Sequence, residues 1–124
     1  MDYGMMPFDA VNVAVGETFG WNAYFIHQDG SVTFRDDKGR IKGKKNFCNN
    51  ASDAWPLMHR NGIGVGFDEY EQEWVAFQLM RNGQVKHHAH THSSTNPLLA
   101  AMIVYLQMQE SANVQANPAR PDIR

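Results

Sequence analysis

The sequence predicts a single α+β domain, in which an antiparallel sheet of about five strands packs against a buried C-terminal helix. Three observations predict this class. Apolar residues near the N-terminus recur at three- and four-residue steps, short aromatic or apolar segments are separated by Asp-Gly and Asn-Gly turns, and the run LLAAMIVYL is apolar nearly all round. Helices that precede, interrupt and follow the strands favour α+β over a strictly alternating α/β arrangement.

The first helix is predicted over residues 7–19. Its apolar residues lie on one helical face, and they are Phe8, Val11, Ala14, Val15 and Phe19. Gly20 ends it. Strands follow at 21–28 and 31–35, joined by Asp29-Gly30, and the charged and glycine-rich residues 36–46 indicate an exposed connection or a mobile strand end.

A short middle helix is predicted over residues 53–60. Ser52 is the expected N-cap, Asp53 lies near the positive N-terminal end, and Pro56 falls in the first turn. Asn61-Gly62 stops the helix.

Three more strands are predicted at 62–67, 74–80 and 85–90, the last two joined at Asn82-Gly83. Asn96-Pro97 then caps and opens the final helix.

This last helix is predicted from Pro97 to about Ser111 and is expected to be the central buried element. Residues 113–124 contain two further prolines and have no apolar periodicity, so the sequence predicts one domain over 1–112 and a flexible tail.

Composition excludes several classes of protein. The 124 residues suit one domain, and 13 acidic against 11 basic side chains give a net charge of −2, which names no partner. The single cysteine, Cys48, excludes an intrachain disulfide. The longest apolar run, 98–106, is about half of a bilayer span, and the N-terminus has no secretory pattern, so we expect a cytoplasmic protein that does not enter membranes.

Several segments resemble a known family. FCNNASDAWPLMHRNGI (47–63), WVA (74–76), NPLLAAMIVYLQMQE (96–110) and DAVNVAV (9–15) are together similar to the NinX family of small bacteriophage and prophage proteins. The resemblance implies a phage-derived cytoplasmic protein from an accessory gene region, and it implies no catalytic residue. The chain departs from the family at Leu99, where many members carry Arg, and in its histidine-rich segment.

Four of the six histidines fall within residues 87–92. Three of them would share one face of a strand, and these candidate ligands for Zn²⁺ or Ni²⁺ are His88, His90 and His92. A row of side chains roughly 7 Å apart encloses a tetrahedral ion poorly, so a site would need a further ligand such as His59 or Asp68. The pattern therefore favours a polar strand end that takes up metal adventitiously, and no cofactor is expected.

A basic run could instead contact a phosphate backbone. Six of the basic residues fall within eleven positions, and they are Arg35, Lys38, Arg40, Lys42, Lys44 and Lys45. Only Asp36 and Asp37 oppose them, which leaves a local charge of +4, and Phe34 and Phe47 flank the run as candidate stacking groups. A solvated loop is the simpler interpretation.

An acidic run of opposite sign surrounds Tyr70. Its members are Asp68, Glu69, Glu71 and Glu73. They indicate a solvated turn more than a catalytic pair, because water would keep every carboxylate ionised. Patches of both signs could steer a protein partner or pair with a second copy of the chain.

The remaining motifs favour structural roles. Gly62, Gly64 and Gly66 fit a strand with a close backbone approach, because no helix follows to complete a phosphate loop. Cys48 is interpreted as a structural thiol. Trp55 is expected to be a packing anchor buried against the sheet, with an exposed interface anchor as the alternative.

The leading hypothesis is therefore a non-enzymatic module that binds a host or phage protein. Nucleic-acid binding through residues 34–47 and metal binding through 87–92 stay open as alternatives, and so does a homodimer.

Overall fold

The computed structural model of the chain describes residues 6–80, 82–90 and 96–116, which form three helices and six strands. In chain order these elements are α1 (Phe8–Glu17), β1 (Asn22–Ile26), β2 (Val32–Arg35), β3 (Ile41–Lys45), α2 (Ala51–Asn61), β4 (Ile63–Asp68), β5 (Glu73–Leu79), β6 (Val85–His90) and α3 (Pro97–Ala116). The predicted α+β class is confirmed. None of the helices in these ranges combines the length and apolar character that crossing a membrane requires.

The prediction of one sheet of about five strands is wrong. The strands form two antiparallel sheets of three, sheet A in the order β1-β2-β3 and sheet B in the order β4-β5-β6. The missed strand is β3, which lies inside the predicted connection 36–46. Lysine and glycine disfavour strands, but β3 is an edge strand that needs only β2 beside it, and charged side chains suit an exposed edge.

Helix α3 is the central element, as predicted. Residues 100–106 are seven consecutive buried positions, and the helix packs against all three strands of sheet B and against α1 and α2. It begins as expected, because the side-chain oxygen of Asn96 accepts a hydrogen bond from the amide of Leu98.

The end of α3 differs from the prediction. The helix continues to Ala116, five residues beyond Ser111, so the tail expected from residue 113 begins within it. Nothing in the sequence stops a helix before Pro118, which cannot continue one. Residues 117–124 lie outside the described part of the chain.

Helix α2 begins earlier than predicted. Asn50 is its N-cap in place of Ser52, since the Asn50 side chain accepts from the amide of Asp53. The earlier start moves Pro56 into the second turn. Gly62 ends the helix as expected, with a φ of 65° that favours glycine.

Sheet A is covered on its inner face by α1. Val11 and Val15 of the helix and Val32 and Phe34 of β2 are all fully buried. Gly16 permits this packing, because a Cβ there would collide with the ring of Phe34. The outer face of sheet A is therefore the one left to carry exposed side chains.

Asn12 fixes the position of α1 from inside the core. It is fully buried, and its amide nitrogen donates to the Gly30 carbonyl at 2.8 Å and to the side-chain oxygen of Asn46 at 3.0 Å. Its oxygen accepts from the amide of Cys48 at 3.0 Å. One side chain thus joins α1 to the β1–β2 turn and to the connection between β3 and α2.

Candidate functional site

Strand β1 carries three of the four large apolar side chains that are exposed in sheet A, the fourth being Ile41 of β3. β1 lies at the sheet edge and all five of its residues are exposed. Tyr24, Phe25 and Ile26 are 55%, 57% and 47% exposed, respectively. Three consecutive large apolar residues on an unprotected edge are unusual for a monomer and typical of an interaction surface.

A bulge turns two of these rings to the same side. The register between β1 and β2 shifts between Ala23 and Phe25, which leaves Tyr24 without a paired residue. In β2, Val32 and Phe34 are buried, so Thr33 between them points to the outer face. Phe25 pairs with Thr33 and therefore lies on the outer face as well. The guanidinium of Arg35 lies 3.7 Å from the centre of the Tyr24 ring on that same face.

His27 continues this aromatic surface. Its Nε2 lies 2.7 Å from the hydroxyl oxygen of Thr33, and its ring meets the ring of Phe25 edge-on at 4.8 Å. The hydrogen bond orients the imidazole, which then holds the Phe25 ring from the side. The sequence predicts this aromatic-rich segment as a strand, but it gives no signal that the side chains form an exposed surface.

Ile26 connects β1 to a groove of about 750 Å³ between α1 and α3. The groove's small and apolar lining residues include Ala10, Val13, Ala14, Ile26 and Leu106, and its acidic ones are Asp9, Glu17 and Glu110. Ala10, Val13, Ala14 and Glu17 recur at helical spacing along α1. We refer to Tyr24, Phe25, Ile26 and this groove together as the β1 surface.

The structure divides the basic run that the sequence singled out. Lys44 pairs with Thr33 and so lies on the outer face, whereas Lys45 pairs with the buried Val32 and reaches Asp53 at 3.9 Å on the inner side. Lys42 lies 5.9 Å from the Trp21 ring centre. Only part of the run therefore shares a face with Arg35.

The turn between β2 and β3 neutralises another part of the run. The Nε of Arg40 lies 2.7 Å from Asp36, and backbone amides of Arg40 and Lys38 also donate to that carboxylate. The backbone hydrogen bond from Arg40 is the main cause that lowers the pKa of Asp36.

The expected role of Phe34 and Phe47 as stacking groups is wrong. Phe34 is fully buried and Phe47 is 3% exposed, so neither ring can meet a base. Both rings belong to an aromatic cluster in the core. Phe34 packs near Trp21, Phe47 packs near Phe19, and the two rings lie 6.2 Å apart. The exposed aromatic residues beside the basic run are those of β1.

The acidic run forms the turn between β4 and β5, in sheet B. The Asp68 side chain accepts from the amides of Tyr70 and Glu71, and Tyr70 is 91% exposed. Glu69 and Glu71 are exposed, and Glu73 pairs with Asp68 across the strands. The acidic and basic runs therefore belong to different sheets.

The histidines of β6 follow the predicted alternation. His88 pairs with Phe77, which places it on the outer side of sheet B, and His87 pairs with Gln78 on the other side. The backbone of His90 pairs with Val75. Burial, and next the charge of Lys86, lower the pKa of His87. His92 lies outside the described residues, and within them no group of three or more candidate ligands could hold a metal ion.

Three further sequence candidates have clear positions. Cys48 is fully buried, and burial raises the pKa of its thiol to about 12, as expected for a structural thiol. Trp55, expected to be buried, is 58% exposed and its ring lies 5.8 Å from that of His59. The glycine strand behaves as predicted, because a Cβ on Gly64 would lie 2.8 Å from the Phe77 ring.

Comparison with known proteins places the chain in a family. The family described as Bacteriophage P22, NinX matches residues 6–109. The chain belongs to the NinX family. No curated protein and no solved structure matches it.

The NinX match spans both sheets, α1, α2 and α3 as far as Gln109. It therefore includes every residue named in the β1 surface except Glu110. Leu99 is partly buried and packs against the core. The apolar side chain at that position contributes to packing in this member of the family.

Proposed function

We propose that this NinX protein is a non-enzymatic module that binds a host or phage protein through the β1 surface. The observation that carries the proposal is the exposure of Tyr24, Phe25 and Ile26 on an edge strand that opens directly into an apolar groove. Interfaces are enriched in aromatic residues and arginine, and the outer face of β1 and β2 offers Tyr24, Phe25 and Arg35 together.

The edge of β1 favours a partner that supplies an extended segment. An edge strand presents unpaired backbone groups that such a segment can bind as an additional strand. Alternate side chains of that segment would then reach the groove beside Ile26. Sheet A would become four-stranded in the complex.

The charge around the groove favours a basic segment. Asp9, Glu17 and Glu110 line the groove, and no basic side chain is among its lining residues within the described chain. A positively charged partner would approach this region faster and in a more defined orientation than a neutral one.

The two other functions have less support from the geometry. Nucleic-acid binding through residues 34–47 would need Phe34 and Phe47 to be exposed, but both are buried in the core. The basic side chains of this segment are also divided between the two faces of sheet A. Metal binding through 87–92 has its described histidines in the single strand β6, and ligands in such a row enclose an ion poorly.

The test is affinity capture from phage-infected host lysate with the full chain and matched variants. Phe25→Glu disrupts the exposed part of the β1 surface. Leu79→Glu is its control, because Leu79 is 50% exposed and belongs to sheet B. Glu17→Lys reverses a charge in the groove, and Glu69→Lys reverses one in the exposed β4–β5 turn.

The proposal predicts one stoichiometric protein that both β1-surface variants lose and both controls retain. In the captured complex, amide hydrogen exchange should slow in β1. Equal capture by all four variants would contradict it. A wild-type dimer that Phe25→Glu dissociates, with no other protein captured, would instead assign the β1 surface to self-association, and capture of nucleic acid alone would favour the second function.

A further inference from the structure

A second cavity, of about 340 Å³, lies between β3 and α2 and shares no lining residue with the groove of the β1 surface. Residues of the α1–β1 connection, the end of β3 and one face of α2 line it. The proposed protein-binding function does not use this cavity. Its volume is at the lower end of the range for small-molecule pockets, which suits a ligand of about the size of a mononucleotide.

The inner wall of the cavity is aromatic. Phe19, Trp21 and Phe47 line it, with ring centres 4.9 Å apart for Phe19 and Trp21 and 6.2 Å apart for Phe19 and Phe47. Phe47 is buried, whereas Phe19 and Trp21 are only partly buried. A flat aromatic ligand could therefore stack on a wall whose rings are already fixed by their neighbours.

The rim of the cavity is basic. Lys45 and Arg60 line it, and Lys42 lies over the Trp21 ring. The carboxylate that lines it, Asp53, accepts from the amide of Asn46 at 2.9 Å and faces Lys45 at 3.9 Å. Within the described residues no ion pair engages Lys42 or Arg60, which leaves two cations available to an anionic ligand.

We propose that this cavity binds a nucleotide, with the base against Trp21 and the phosphate held by the cations at the rim. Bases stack on aromatic side chains regardless of sequence, and arginine and lysine are the usual partners of phosphate. The aromatic wall and the basic rim are both needed, so neither an uncharged nucleoside nor phosphate alone satisfies the site. The nucleotide could be free or the phosphorylated end of a single strand, and the test separates these sources.

The experiment is isothermal titration of the full chain with adenosine monophosphate, adenosine and inorganic phosphate. The monophosphate is expected to bind at least about tenfold more tightly than either fragment, because only it uses both parts of the site. Arg60→Gln should weaken the binding of the monophosphate about three- to tenfold, which is the range for losing one charged hydrogen bond that is partly screened by water. Lys38→Gln, which removes the same charge from the exposed β2–β3 turn, should leave binding unchanged.

Two substitutions of Trp21 test the aromatic wall. Trp21→Phe should retain most of the affinity and Trp21→Ala should lose it, with thermal unfolding of each variant confirming that it folds. If Trp21→Ala does not fold, the ratio between the monophosphate and inorganic phosphate in the wild-type chain still decides the role of the wall.

Three results would overturn the proposal. They are no binding of the monophosphate at about 5 mM, equal affinity for the monophosphate and inorganic phosphate, and equal loss of affinity in Arg60→Gln and Lys38→Gln. A single-stranded oligonucleotide with a terminal phosphate identifies the source. If the oligonucleotide binds more tightly than the monophosphate and loses this affinity in Arg60→Gln, the cavity is assigned to a strand end. If the oligonucleotide binds more weakly than the monophosphate, the cavity is assigned to the free nucleotide.

Discussion

Replacing Gly16 with alanine tests how tightly α1 packs against sheet A. In an exposed helix the change would stabilise the protein by about 1 kcal/mol, because alanine is the better helix former. Here the new Cβ would collide with Cε1 and Cζ of Phe34 and lie 2.8 Å from its Cδ1. Phe34 is fully buried, so its ring cannot leave without displacing other core residues.

The steric cost exceeds the gain in helix propensity. Overpacking a core costs about 1–3 kcal/mol, and contact with three ring atoms places Gly16→Ala near the upper end. We therefore expect a net loss of about 2 kcal/mol in the free energy of unfolding. For a domain of this size this lowers the urea midpoint by about 1 M.

Urea unfolding followed by circular dichroism measures this change. The control is Ala14→Gly on the same helix, which faces the groove and should lose about 1 kcal/mol from helix propensity alone. A Gly16→Ala variant as stable as the wild type, or more stable, would refute the reasoning. It would mean that Phe34 relaxes freely and that α1 does not fix sheet A.

Three other changes have defined outcomes. Asn12→Ala removes the three hydrogen bonds of a fully buried side chain and should cost about 2–4 kcal/mol in urea unfolding, against less than about 0.5 kcal/mol for Asn22→Ala on the exposed β1. Cys48, whose pKa is raised to about 12 by burial, should react with iodoacetamide at about pH 8 at least a hundredfold more slowly in the folded protein than in urea, as measured by mass spectrometry. Hydrogen bonds from the Ser31 hydroxyl and then from the Ser31 amide lower the pKa of Asp29 below its ordinary value of 3.8. The stability that this contact adds is therefore fully present above pH 3.8 and is lost as the pH falls through the lowered pKa. Asp29→Asn should therefore lose less stability than the wild type between about pH 6 and about pH 3 in urea titrations.

The central helix could be predicted from sequence because its signal is local. An apolar run that covers every face of a helix can only be buried, and Asn96-Pro97 marks where it begins. The pairing of strands carries no such local signal. Nothing in the sequence of β3 or β4 indicates that α2 separates two sheets, so six strands in two sheets could not be distinguished from one larger sheet.

The candidate site was harder to predict because small shifts decide which side chains are exposed. One extra residue in β1 turns Tyr24 to the face of Phe25, and a bulge of this kind has no reliable sequence signal. Trp55 shows a different error. Ala54, Leu57 and Met58 form the buried face of α2, and Trp55 lies about 100° from Ala54 around the helix, so the helical period predicts exposure better than side-chain size does.

Photo-crosslinking in infected cells tests the central claim most directly. Benzoylphenylalanine is placed either at position 25 in sheet A or at position 79 in sheet B. The two side chains that it replaces, Phe25 and Leu79, are similarly exposed, at 57% and 50%. If the β1 surface binds a host or phage protein, position 25 should give one discrete adduct with that protein, and position 79 should give none. An adduct from position 79, with none from position 25, would contradict the account.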